Sequence, residues 1–394
     1  MKVEWKQLGE FAKCEKAKNK KREEICPYSI TQRGLVPTEE FFKQTTRVTS
    51  KDTSSYYIVH KNWFVYSPSR IDVGSINFLQ VEGPVIVSPI DVVFSIDETQ
   101  CHPTYLLSYL LSYEGMKQIL SYREGVEGMG RRTLPFMDMA KVRIPLPLLD
   151  TQQQIVNQLD TFTSLIASLE SELDLRRKQF EHYRNYLYGN SLEDIKESAK
   201  KGFATITTLS AIGTFQRGRR FVRTDIRDIG IPCIHYGDMY TYYGTKAYCT
   251  PTYLEENFPK KLRYAETNDV VIVGAGENDI DIGIGVAWLG KKKAAVHDAC
   301  YIYSHKENPI YISHYLRTDI YHQQIKKSVA SGKICSIPAD GIGKAIIPLP
   351  PLATQQSIVE KLDAFEQLVA KLEEEIALRK KQYEYYREKL LTFE

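Results

Sequence analysis

Side chains able to do chemistry are present throughout this chain, but few stand at the spacing a reaction needs. Gly274-Ala275-Gly276 follows the apolar run DVVIV, as a phosphate-cradling dinucleotide loop would. Asp279 occupies the place of the third glycine, and the following DIDIGIG alternates instead of opening a helix. Asp194-Ile195-Lys196 has the spacing of a nuclease Asp-x-Lys pair, without an acidic partner upstream. The seven cysteines (14, 26, 101, 233, 249, 300, 335) form no CxxC pair and their number is odd, so neither a disulfide framework nor a zinc ribbon is expected. His297-x-x-Cys300 with Cys233-x-His235 is the nearest approach to a ligand set and lacks a second pair at ligand spacing. GxSxG and HExxH are absent. We therefore expect no catalytic residue and no metal site.

Charge is the chemistry that is concentrated. Lys13, Lys16, Lys18, Lys20, Lys21 and Arg22 stand against a single Glu15, Arg217, Arg219, Arg220 and Arg223 form a second knot, and Lys291, Lys292 and Lys293 a third. Such knots are where a polyanion is felt, although any one of them alone also fits a solvated face. Asn308-Pro309-Ile310-Tyr311 half-matches the Asn-Pro-Pro-Tyr/Phe loop of amino-methyltransferases. The second proline is missing and no glycine-rich cofactor loop accompanies it, so a loop after a strand is expected there.

These residues must be held by a chain of 394 residues, which at about 150 per domain suggests two or three domains. A net charge of +3, 43% hydrophobic and 26% charged residues are ordinary for a globular protein and exclude wholesale disorder. No apolar run approaches the roughly 18–20 residues that span a bilayer, and MKVEWKQLGE lacks a signal-peptide core. A cytoplasmic protein with reduced thiols and no membrane association is expected.

The organising feature is an internal repeat. IPLPLLDTQQQIVNQLDTFTSLIASLESELDLRRKQFEHYRNYL lies over IPLPPLATQQSIVEKLDAFEQLVAKLEEEIALRKKQYEYYREKL at an offset of 203, with 26 identities in 44 gapless columns. A different stretch precedes each copy. The boundaries are a first domain at 1–143, a first helical spacer at 144–188, a linker at 189–203, a second domain at 204–346 and a second helical region at 347–394.

Within the first copy Ile155, Leu159, Phe162, Ile166, Leu169 and Leu173 recur at alternating steps of four and three, and the second repeats them as Ile358, Leu362, Phe365, Val369, Leu372 and Ile376. That is the seam of a coiled coil, interrupted by Arg176 and Arg379 and continued by Phe180, Tyr183 and Leu187 and by Tyr383, Tyr386 and Leu390. Thr151 with Gln154 predicts a capping box, and Thr354 with Ser357 a weaker one. About 38 residues make a helix of about 57 Å. One apolar seam needs a partner, and its own copy is the nearest, most simply antiparallel with the domains related by a pseudo-twofold axis.

Both variable halves read as mixed α/β. Strand-like runs (SYYIVH, WFVYSP, PVIVSP, DVVFSI; GIPCIHYG, DVVIVGAG, GVAWLG, DACYIYSH) precede helical stretches around Tyr105–Leu120 and Ile312–Lys327. The expected fold is two α/β (α+β) recognition domains in tandem, separated by two long helices that form an antiparallel coiled coil.

The two IPLPxLxTQQxIVxxLDxF segments and the closing ALRKKQYEYYREKLLTF resemble the specificity subunit of type I restriction-modification systems. GIPCIHYGDMYTYYGT with VHDACYIY, and FVYSPSRIDVGSINF with VIVSPIDVVFSI, resemble two groups of that family's target recognition domains. The resemblance covers nearly the whole chain. It implies a non-catalytic subunit that reads one part of a split double-stranded DNA target with each domain. Partners would be two methyltransferase subunits docked on the constant helices, and restriction subunits. S-adenosylmethionine, ATP and magnesium would belong to those partners, with no cofactor on this chain. Rival readings are a coiled-coil scaffold without a nucleic-acid role and an enzyme that modifies nucleic acid itself.

Charge clustering and flanking loop signals nominate Lys18, Lys20, Lys21, Arg22, Gln32 and Arg33 as DNA contacts in the first domain. In the second they nominate Gln216, Arg217, Arg219, Arg220, Arg223 and Lys333. The turn carrying Glu277 and Asn278 fits a contact loop and a plain hairpin equally.

Overall fold

The apolar runs form sheets buried on both faces, which is why they read as near-continuous rather than alternating. The structure, a computed structural model, describes residues 3–31, 34–41, 52–126, 129–258 and 261–393. Two compact units result: Met1–Glu170 with Glu375–Glu394, and Ser171–Glu374. Each unit takes one variable domain and a portion of both long helices, Leu149–Tyr188 and Leu352–Leu391.

In the first unit an antiparallel four-stranded sheet runs in the order Ala12–Glu15, Val92–Ile96, Phe64–Tyr66, Ile76–Phe78. Successive residues take opposite faces. Phe64, Tyr66 and Phe94 enter the main core with Leu106 and Leu110, while Val65 and Val93 enter a smaller one with Val59, Val85 and Val87. Two helices follow the sheet, Pro103–Leu110 and Tyr113–Ser121, each capped by the side chain before it, His102 and Ser112.

The second unit holds a five-stranded sheet ordered Gly213–Arg217, Cys300–His305, Val270–Val273, Gly285–Trp288, Lys246–Ala247. A second five-stranded sheet contains Ile231–Ile234 and Ala294–Val296 as parallel neighbours. Helices Pro309–Tyr315 and Asp319–Ile325 occupy the place of the earlier helix pair. Both predicted helical stretches are thus helix pairs, broken where Ser112 and Thr318 start a second helix. Asn308-Pro309-Ile310-Tyr311 is the start of a helix and not a loop. The Asn308 side chain accepts the Ile310 and Tyr311 backbone N–H groups (3.0 and 3.1 Å), and Tyr311 is buried.

Each domain is closed the same way. Glu4–Gln7 pairs antiparallel with Arg143–Leu146, and Thr205–Thr208 with Ile346–Leu349. The proline lead of each helix is therefore a strand of a two-stranded ladder, where a missing N–H is tolerated. Tyr105 donates to the Pro145 carbonyl and Tyr311 to that of Pro348, both at 2.7 Å. Gln118 accepts from the Arg143 N–H (2.9 Å) and donates to Tyr109 Oη (3.1 Å). Gln324 repeats this with the Ile346 N–H (2.7 Å) and Tyr315 Oη (3.0 Å).

The long helices begin earlier than the capping-box reading predicts. Leu149 and Leu352 are already helical, so Thr151 and Thr354 lie inside the first turn. The device at that turn is the next residue. Gln152, fully buried, accepts from the His102 N–H (2.8 Å) and donates to the carbonyls of Gln100 (3.0 Å) and Pro147 (2.9 Å). Gln355, also fully buried, accepts from the Asn308 N–H (3.0 Å) and donates to Pro350 O (2.9 Å) and Glu307 Oε2 (2.8 Å).

Some of the seam positions have visible partners within each unit. In the first unit Ile155 and Leu159 enter the domain core, Phe162 stacks on Tyr386 at 5.2 Å, and Lys380 reaches Glu170 at 2.6 Å. In the second Leu362 enters the core, Phe365 meets Tyr183 at 5.2 Å, and Arg177 pairs with Glu373. The helices run antiparallel in each unit. Arg176 and Arg379, the seam interruptions, are satisfied within their own helices by Glu172 and Gln179 and by Glu375 and Gln382. The linker is not plain coil: Leu192–Lys200 is helical, because Ser191 and Asp194 form a reciprocal capping box and Ile195 is buried. That role also accounts for Asp194 in the Asp-x-Lys spacing. No helix among the described residues is long and apolar enough to cross a membrane.

Replacing Gln152 or Gln355 by Leu strands buried backbone groups, at a cost of about 1–3 kcal/mol each. Gln356→Leu, on the exposed side of the same turn, should cost less than about 0.5 kcal/mol. Urea unfolding of the three variants checks the order.

Candidate nucleic-acid interface

The two basic runs occupy equivalent positions in the two folds. Each follows an edge strand, Ala12–Glu15 or Gly213–Arg217, paired antiparallel with the strand that leads toward the helix pair, Val92–Ile96 or Cys300–His305. Nothing in the spacing of lysines and arginines announces this equivalence; it appears once the strands pair.

In the first unit the run turns around one residue that the sequence reading overlooked. Asn19 is 1% exposed. Its side chain accepts from the Glu23 N–H and donates to the Glu23 carbonyl, both at 3.0 Å. The Asn19 N–H bonds Tyr56 O at 3.0 Å. Lys18, Lys20, Lys21 and Arg22 are exposed around this pin. Arg22 adopts φ +54° and pairs with Asp52 at 3.3 Å across a mostly exposed contact, which adds little stability. Gln32 and Arg33 lie outside the described residues.

In the second unit the run crosses another segment at contact distance. Gly218 donates to Cys300 O and Arg219 to Val296 O, both at 2.9 Å. A Cβ at position 218 would stand 2.2 Å from His297 O, so only glycine permits the crossing. Arg217 Nε is committed to Asp298 O at 2.7 Å, which gives this side chain a structural role. Gln216, Arg219, Arg220 and Arg223 are exposed.

Beyond the crossing lies a cleft of about 890 Å³. Arg220 and Arg223 line it with Phe221, His235, Tyr236 and His297, and with the carboxylates Asp238, Glu277 and Asp298. Lys333 adjoins Ile334 at its edge. Of the residues nominated from sequence, Arg220 and Arg223 converge on this cleft. By spacing alone the two histidines form only an incomplete ligand set, although they sit inside the segments that carry the family resemblance. Their rings are 4.8 Å apart. His235 Nδ1 accepts from Gly237 N–H (3.2 Å) and His297 Nδ1 from Ala299 N–H (3.1 Å). In the neutral ring this leaves Nε2–H as the donor on each. Burial holds both imidazoles below their ordinary pKa. Cys233 bonds Thr252 and Cys300 is buried, and all seven cysteines are free thiols. The arrangement provides cations, aromatic faces, N–H donors and carboxylate acceptors on one concave surface.

One cluster has a ligand-like composition. His314, Asp363 and Glu366 hold donor atoms within 4.8 Å of one another. Lys246 Nζ stands 2.6 Å from Asp363 Oδ1, and Arg184 and Arg317 act on the same imidazole. Three cations already face two carboxylates, which works against a divalent ion. We read the group as the charge-compensated joint between the second long helix and its domain.

The chain matches the family model described as "Type I restriction modification DNA specificity domain" at residues 1–175 and again at 204–378. It is 29% identical over 282 residues to a type I restriction enzyme specificity subunit of Haemophilus influenzae, covering 68% of each chain. It is 30% identical over 270 residues to the EcoR124I/EcoR124II specificity subunit of Escherichia coli, covering 64% of this chain and 63% of that one. Among solved structures, it resembles the HsdS subunit from Thermoanaerobacter tengcongensis with a TM-score of 0.51 at 15% identity, over 99% of this chain and 96% of that one. A chain solved in a study of assembly and conformational transition of the type I restriction-modification system gives a TM-score of 0.60 at 15% identity, over 99% and 97%.

Burial pushes His305 down to about 4 and His314 to about 3. Both are neutral when folded, whereas the unfolded imidazole takes a proton near 6.5. Their contribution to stability is complete above about pH 6.5 and is lost as pH falls toward 4 and then 3. Hydrogen-exchange protection of peptides around the second core should therefore drop between pH 7 and 4.5, and His314→Gln should flatten the drop.

Proposed function

The chain belongs to the type I restriction-modification DNA specificity family, and from that premise we propose that each of its two domains reads one half of a split double-stranded DNA target. As a specificity subunit it recognises the DNA target within the restriction-modification complex and is itself non-catalytic. The observation that carries our reading is the equivalence of the two basic runs, each presented after the same edge strand of its own sheet. Two different domains built on one plan suit two different half-sites.

On this reading Lys18, Lys20, Lys21, Arg22, Gln32 and Arg33 of the first domain approach the phosphates and bases of one half-site. Gln216, Arg217, Arg219, Arg220, Arg223 and Lys333 approach the other. Phosphate contacts set position and supply salt-dependent affinity. Base edges in the major groove supply the sequence information, and the cleft lined by Arg220, Arg223, His235 and Tyr236 has the donors and planar faces to read them. Two methyltransferase subunits would dock on the constant helices, swing the target adenine from the stack and methylate it with S-adenosylmethionine. Restriction subunits would bring ATP and magnesium. The free thiols fit action in the cytoplasm, where the DNA is.

Arg219→Ala, Arg220→Ala and Arg223→Ala together should weaken duplex binding and reduce the slope of log K against log salt by about 2–3. Affinity unchanged across 50–200 mM salt would return the chain to a scaffold role. The constant helices are proposed as the spacer between half-sites. Inserting four residues after Leu173 adds about 6 Å of helix, and the unmethylated gap should lengthen by about one or two base pairs with both half-sites retained. Mapping N6-methyladenine in a host co-expressing the methyltransferase partner reads both the target and the gap.

A further inference from the structure

Carboxylates are unusual on a surface that must approach a polyanion, so each one in the cleft of the second unit needs an account. Asp238 has one: its Oδ2 accepts from the His235 N–H (3.3 Å) and the Thr252 hydroxyl (3.0 Å). Asp298 has another, with Oδ1 3.4 Å from His297 Nε2 and its carbonyl holding Arg217. Glu277 is exposed, and no hydrogen bond or ion pair to a described residue involves its side chain.

The backbone that leads into Glu277 is held by a strand ladder and by close neighbours. Ala275–Gly276 pairs antiparallel with Cys335–Ser336, and Gly276 stands opposite Cys335. A Cβ on Gly276 would lie 2.6 Å from the Tyr240 hydroxyl, and one on Gly274 2.4 Å from the Tyr301 ring. The ribbon is thus wedged against two tyrosines, and Ile337 N–H fixes it further to Gly274 O at 2.9 Å. Its end carries Glu277 on one strand and Lys333 with Ile334 on the other. Ile334 is 66% exposed, and with Glu277 it lines the cleft that holds Arg220 and Arg223. A two-stranded ribbon is of a width that the major groove admits.

We infer that Glu277 is a specificity-determining residue: it accepts a hydrogen bond from an exocyclic amino group, cytosine N4 or adenine N6, in the half-site read by the second unit. This rests on the reading of the cleft as a DNA interface. A carboxylate accepts and does not donate, so guanine O6 and thymine O4 offer it nothing in the major groove, while cytosine and adenine present an amino donor there. Arg220 and Arg223 on the same cleft offset its repulsion from the phosphates.

The test is methylation mapping of the intact complex, the chain co-expressed with its methyltransferase partner, for wild type, Glu277→Ala, Glu277→Gln and the Arg220→Ala/Arg223→Ala pair. Wild type is expected to require C or A at one position of that half-site. Glu277→Ala should relax that position alone, lowering discrimination roughly 10- to 100-fold. Glu277→Gln, which can also donate, should admit G or T there. An unchanged motif in both Glu277 variants, with methylation lost in the arginine pair, overturns the inference and leaves the interface standing. Unchanged motif and occupancy in all variants would overturn both. A uniform fall at every site in Glu277→Ala, with the complex intact by sedimentation, would make Glu277 a structural residue and also refute the inference.

Discussion

The structure depends on a joint, the buried glutamine in the first turn of each long helix. A helix carries positional information only if its start cannot swivel on its domain. Gln152 and Gln355 prevent that with three hydrogen bonds apiece to backbone or side-chain groups on two separate segments. Because both are fully buried, each lost bond would leave a polar group without water, which makes the joint cooperative and intolerant of half-measures. The tyrosine and glutamine contacts on the strand ahead of each helix brace the same corner from the other side.

Around that fixed corner the two domains are free to differ. The first has a four-stranded main sheet and a small valine core; the second has two five-stranded sheets. What they share is the path of the chain as it leaves its edge strand, and there the basic side chains accumulate. Each domain stabilises the run by its own means. The first uses an asparagine whose amide closes a tight loop; the second uses a glycine that lets two backbones pass at contact distance. A surface built this way keeps its cations outside while their backbone is anchored.

Charge at the helix seam follows the same economy. Arg176 and Arg379 interrupt an apolar stripe, yet each is satisfied by a glutamate four residues back and a glutamine three residues on. The interruption therefore needs no partner from the other helix. At the base of the second helix, Lys246 and two arginines meet Asp363, Glu366 and the uncharged His314. The corresponding turn of the first helix keeps the aspartate as Asp160 but has Thr163 at the place of Glu366, so the second carboxylate of this network is private to one unit.

What was legible in the amino-acid sequence is whatever has a short period or a second copy along the chain. The two long helices, the apolar runs that became strands, and the family resemblance of the repeated segments were all legible, because helix and strand periodicity are local properties of neighbouring residues. Tertiary structure decided everything that joins distant residues. Thr151 read as a cap until Gln152 was seen to bond residues some fifty positions away. Asn308 and Tyr311 read as part of a plain loop after a strand until their partners on the second helix and its lead strand appeared. The convergence of Arg220 and Arg223 with His235, Glu277 and His297 depends on strand register and on a single glycine crossing. Neither has a periodic signature in one chain, since side chains from six separate segments meet there through backbone contacts that any apolar sequence of similar length would have left unspecified.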